Sequence, residues 1–120
     1  VNFITPNEAS LKIGYISQPT GKLIKENYHK KTTRTLYFTN EVIVIKNGKL
    51  RVDFYDNKKE YLESFILTAG DVMLLDSGGH GFKVLEDIDM VEVKQGPYIQ
   101  DNDKDRFEGV KDKDVILNHE

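Results

Sequence analysis

Two residue types in this chain invite chemistry: His80, a single imidazole between two glycines in GDVMLLDSGGHGF (70–82), and Glu41, at the head of the apolar run EVIVI. An imidazole can donate, accept or bind a metal, and a carboxylate can accept or coordinate, so the pair suits proton transfer, an ion pair or a metal site. Gly78, Gly79 and Gly81 already give the turn its permissive backbone. His80 is therefore surplus to the turn. Side chains alternate along a strand, and with Lys83 turned to solvent, His80, Phe82 and Val84 point inward.

Glu41 is placed by the segment EVIVIKNGKLRVDFY, where Asn47-Gly48 is a strong short hairpin signal. A two-residue turn there predicts Lys46 opposite Lys49, Ile45 opposite Leu50, Ile43 opposite Val52 and Glu41 opposite Phe54. Glu41, Ile43, Ile45, Leu50, Val52 and Phe54 then share the core face. An unpaired ionised carboxylate inside an apolar core is costly. Glu41 is thus expected either at the rim, where strand ends meet water, or inside and protonated, paired or coordinating a metal. The opposite face holds Val42, Val44, Arg51, Asp53 and Tyr55, a mixed set that suits cover by another strand, the tail or a second subunit. A homodimer is the expected assembly.

The elements that position these groups are short β-type runs separated by turn signals: LKIGYI, GKLIKENYH, EVIVI, KLRVDFY, YLESFIL, DVMLL, GFKVL and MVEVK. With no window of helical period, they predict an all-β sandwich or barrel. In GKLIKENYH, Leu23, Lys25, Asn27 and His29 share one face and Ile24, Glu26 and Tyr28 the other, so His29 points either way. The charged tail QDNDKDRFEGVKDKDVILNHE is expected to be an arm over the barrel or onto a partner, with one helical turn.

At 120 residues the chain is expected to be one domain. Seventeen Lys and Arg against twenty Asp and Glu give a net charge of −3, with no basic stripe, so no nucleic-acid partner is expected. Without cysteine, any metal must be held by His, Asp or Glu. No apolar run approaches the roughly 20 residues of a membrane span, and VNFITPNEA carries no secretory signal. A soluble, cytoplasmic protein without membrane association is expected.

Here the chain resembles the cupins, whose motifs are G-x5-H-x-H-x(3,4)-E-x6-G and G-x5-P-x-G-x2-H-x3-N. The first begins at Gly21, runs through KLIKE, sets Asn27, Tyr28 and His29 at H-x-H, and ends in Glu41-VIVIKN-Gly48. The second runs from Gly70 through DVMLL and DSGGH to His80. Asn27 replaces the first histidine, eleven residues separate His29 from Glu41, Asp76 replaces proline, and Val84 stands at the final asparagine. The similarity covers roughly residues 11–95 and also extends to small bacterial cupins, some of them associated with surface-polysaccharide or sugar-nucleotide pathways.

The resemblance implies a single-domain double-stranded β-helix, a cupin or jelly-roll barrel over about 11–99, with an irregular arm over about 100–120. It also implies one divalent metal, Fe, Mn, Ni or Zn, held by His29, Glu41 and His80, with Asn27 as a weak fourth ligand or a group behind the ligands. The insertion KKTTRTLYFTN brings Arg34, Tyr37 and Thr39 toward the barrel mouth, where Arg34 suits an anionic group and Tyr37 a sugar; as a solvated loop it has no site role. Gln95 and Tyr98 are further candidates for ligand binding, and Tyr37 or Lys94 for moving a proton. Three functions are open: a metal-dependent cupin that binds a small polar, carbohydrate-like or sugar-nucleotide ligand and isomerises or epimerises it, a non-catalytic ligand-binding cupin with or without metal, or a structural dimeric cupin without metal in which Glu41 and His80 pair.

Overall fold

The computed structural model describes residues 2–97 and 104–118, with the first two of these described by backbone alone. The chain divides into two units, Val1–Tyr37 and Phe38–Glu120. In the first, β1 (Asn2–Phe3) pairs antiparallel with β2 (Gly14–Tyr15). LKIGYI thus contributes two strand residues, and GKLIKENYH, expected as a strand, forms none. Its alternation never gathers apolar groups on one side, and Leu23, Ile24 and Tyr28 are exposed. Such a run has no face to bury and so gains little from pairing.

The second unit is an antiparallel sheet of β3 (Glu41–Tyr55), β4 (Tyr61–Thr68), β5 (Val72–Leu75) and β6 (Gly79–Lys94), followed by a single 3-10 turn, Asp112–Asp114. The described residues form no α-helix, so the all-β expectation holds. The four-stranded sheet is open and is not closed into a barrel. β3 is the shared strand. On one side β6 accompanies it from Glu41↔Lys94 to Tyr55↔Gly79; on the other, β5 covers Glu41 to Val44 and β4 covers Lys49 to Tyr55. Among the described strands, β6 pairs with β3 alone.

The expected hairpin at Asn47-Gly48 does not form. EVIVI and KLRVDFY are one strand, and GFKVL and MVEVK likewise merge into β6. Gly48 takes a positive φ of 98°, and the β3–β6 register slips between Ile45 and Leu50. These irregularities bend a continuous strand where a turn was expected. A Cβ on Gly48 would stand 2.0 Å from the Asp87 carbonyl oxygen, so β6 passes too close for any other residue.

The inward face is nonetheless the expected one. Both a two-residue turn and an irregular bend switch side-chain parity once between Ile45 and Leu50. Ile43, Ile45, Leu50 and Val52 are almost wholly buried and form the core with Leu67 and Leu75, flanked by Phe54, Met73, Ile88 and Met90.

The outward face splits in two at the bend. In the second half, Arg51 and Asp53 are buried under the C-terminal arm. Arg51 donates to both Asp53 oxygens, at 2.8 and 3.1 Å, and to Asp112 Oδ1 at 3.0 Å. Ser64 Oγ donates to Asp53 at 2.5 Å and meets Tyr61 Oη at 2.7 Å; Lys83 pairs with Asp112. The arm runs beside β4: Ser64 N–H donates to Ile116 C=O, and Asn118 N–H donates to Ser64 C=O, each at 2.8 Å. Phe107 stacks edge-on against Tyr55 at 4.9 Å. The tail is therefore an arm over its own sheet, with one short helical turn.

No helix among the described residues is long and apolar enough to cross a membrane.

Candidate functional site

Glu41 is the first residue of β3, and its inward side chain is 8% exposed. Lys94, the last residue of β6, lies directly opposite it in the ladder. Residues opposed across an antiparallel pair share a face. Lys94 Nζ accordingly reaches Glu41 Oε1 at 3.1 Å and Glu92 Oε1, two positions back on the same face, at 2.8 Å.

His80 sits at the other end of β6, opposite Phe54. Its Nε2 nevertheless stands 3.2 Å from Glu41 Oε2. Phe82, on the same face, holds the imidazole at a ring separation of 5.3 Å. The imidazole is 32% exposed, so one carboxylate oxygen is shielded by the ammonium while the other anchors a ring that solvent can reach.

Electrostatics explains why a carboxylate is tolerated here. A buried anion is costly unless paired, and Glu41 has a partner on each oxygen. Among the described residues, no buried side-chain nitrogen or oxygen lacks a partner. Glu92 first, and then Glu41, hold the Lys94 ammonium well above the usual lysine range. Lys94 is therefore a fixed positive charge over the whole physiological range.

The sequence-derived candidates divide by location. Glu41, His80 and Lys94 come together, and Glu41 proves buried and paired rather than rim-exposed. Gln95 follows directly: its backbone N–H donates to Asn40 C=O at 2.9 Å, and its amide contacts Gly96 C=O at 3.4 Å. Asn27, His29, Arg34 and Tyr37 belong to the Val1–Tyr37 unit and are all exposed. Tyr98 lies outside the described residues. Sequence reasoning missed Glu92 and the Phe82 stacking; their signal was shared parity with Lys94 and His80.

A tight divalent site needs at least three converging donors. Where they meet, His80 and Glu41 offer one imidazole and one carboxylate, and the Lys94 ammonium, itself shared with Glu92, sits on the second oxygen of Glu41. Among the described residues, no three His, Asp or Glu side chains are grouped to hold a metal ion. These donors alone do not fit a resident divalent metal. Compared with family models, with curated proteins and with solved structures, the chain matches none.

Proposed function

We propose that this chain is a cupin-like domain that binds a small, hydroxyl-rich ligand of the carbohydrate or sugar-nucleotide class at Glu41, His80 and Lys94, and that His80 exchanges a proton with it. The observation that carries this reading is the convergence of an accessible imidazole and a fixed ammonium on one buried carboxylate. A carboxylate facing Nε2 favours the tautomer with its hydrogen on that nitrogen, which leaves Nδ1 as the proton acceptor. A carboxylate that orients a histidine in this way is a recurrent arrangement for general-base work.

The hydroxyl-rich character of the ligand follows from the balance of charge, and the nucleotide option follows from the cupin resemblance alone. Two carboxylates, Glu41 and Glu92, surround one ammonium, Lys94. With His80 neutral the cluster carries one net negative charge and is rich in acceptors, which suits hydroxyl donors. If the ligand carries a carbonyl, His80 takes a proton from the adjacent carbon and returns it elsewhere, giving isomerisation or epimerisation. Lys94 then serves as a fixed charge rather than as the base.

The test is calorimetric titration of the protein with neutral hexoses and with nucleoside-diphosphate sugars, beside His80→Ala. Saturable binding lost in His80→Ala supports the reading, and no binding by either ligand set defeats it. A second reading, a purely structural ion cluster, is favoured by the full pairing of Glu41. It predicts that His80→Ala lowers stability while the wild-type protein binds neither set.

A further inference from the structure

The outward face of the sheet has two halves with different fates. The half around Arg51, Asp53 and Tyr55 lies under the arm. Among the described residues, the arm's contacts fall on Arg51, Tyr55, Lys59, Tyr61, Glu63, Ser64 and Lys83, and none falls on the half around Val42 and Val44. There the register lines up two rows across three strands: Leu74, Val42 and Val93 in one, Val72, Val44 and Val91 in the next. Cross-strand neighbours stand about 5 Å apart, so the six aliphatic side chains make one continuous patch. Val72, Val91 and Val93 are 49%, 46% and 52% exposed.

We infer that this aliphatic face is the contact surface for a second copy of the same chain. Contiguous apolar patches on a sheet mark interaction sites far more often than scattered exposed valines do. The patch contains no charge and no hydrogen-bonding side chain, so it selects a partner that is equally flat and apolar, and its own twofold copy meets that requirement. Homodimer interfaces have this apolar centre with a polar rim. The rim here is charged in a complementary way. Lys46, two residues beyond Val44, and Asp89, two residues before Val91, are exposed, opposite in sign and in no ion pair among the described residues. Both sit at the same end of the patch on the neighbouring strands β3 and β6, so a twofold axis that runs along the strands between β3 and β6 sets the Lys46 of each copy toward the Asp89 of the other.

The test is sedimentation equilibrium of the full chain over a wide concentration range. Wild type is expected to reach twice the 13.8 kDa chain mass. Val91→Lys with Val93→Lys should raise the dimer dissociation constant by at least about tenfold while the circular dichroism spectrum and melting profile of the monomer persist. Lys46→Asp should weaken the dimer and Lys46→Asp with Asp89→Lys should restore it, an arm that does not depend on the valine variant folding. A wild type that stays at the chain mass throughout overturns the inference. So does a valine variant that dimerises like wild type, or a charge swap that fails to restore association.

Discussion

Glu41 and His80 touch at 3.2 Å although the ladder sets His80 opposite Phe54, thirteen residues further along β3 than Glu41. A straight strand would separate those positions by roughly 40 Å. The contact is therefore a product of the bend at Lys46 to Leu50, which folds the inner faces of the two halves of β3 and β6 toward each other. The site depends on the bend.

Glu41→Gln, which keeps shape and removes charge, is expected to destabilise the protein by about 1–2 kcal/mol in urea unfolding, because Lys94 loses its buried partner. A cycle with Lys94→Met should return a coupling of about 1 kcal/mol. Strict additivity of the two changes would show that the contact contributes nothing.

Gly48→Ala should cost at least about 2 kcal/mol, since it adds a backbone clash to a positive φ. Gly70→Ala separates the two effects: φ is 93° there, with nothing near the added Cβ, so about 1 kcal/mol is expected. Equal melting temperatures for the two variants would remove Gly48 from its role in the bend.

Arg51→Ala leaves Asp53 buried and uncompensated, and should cost about 3 kcal/mol in equilibrium unfolding. Arg51→Met with Asp53→Leu removes both charges together and should be less damaging than Arg51→Ala. If the double variant is the weaker protein, the pair contributes more than mutual neutralisation.

The arm should respond to acid. Lys83 first, and then Arg51, hold the Asp112 carboxyl below its ordinary value of 3.8. A depressed carboxylate contributes stability above its unfolded pKa and loses it as pH falls through the folded one. Attachment of residues 104–118 should thus be constant near neutrality and weaken below about pH 3.8, the more so in high salt because Asp112 is exposed. Asp112→Asn should reproduce the loosening at neutral pH. Hydrogen exchange at Ser64 and Asn118 measures it, and protection independent of both acid and the substitution would refute the assignment.

Much of the site was legible in the sequence, for reasons that differ residue by residue. His80 was aimed inward by its parity with Phe82 and Val84, and parity is local, so it survived. Glu41 was placed on the core face through a hairpin that does not exist. The placement stands because turn and bend alike switch parity once. Lys94 was legible as a candidate, but its position opposite Glu41 needed the β3–β6 register, a long-range pairing that no local spacing encodes. The buried Arg51–Asp53 pair was visible as a mixed outward face in need of cover, whereas the arm's fit to it depends on Asp112, nearly sixty residues further on.

The arm's bonds to Ser64 have a further consequence. Both backbone groups on the outer side of that residue are taken, by Ile116 and Asn118. An open strand margin is where a stray chain adds on and aggregation begins. The C-terminal segment thus acts as a gatekeeper for β4 as well as a cover for buried charges. Loss of residues 104–118 would remove both protections at once, leaving the edge of β4 open to stray pairing.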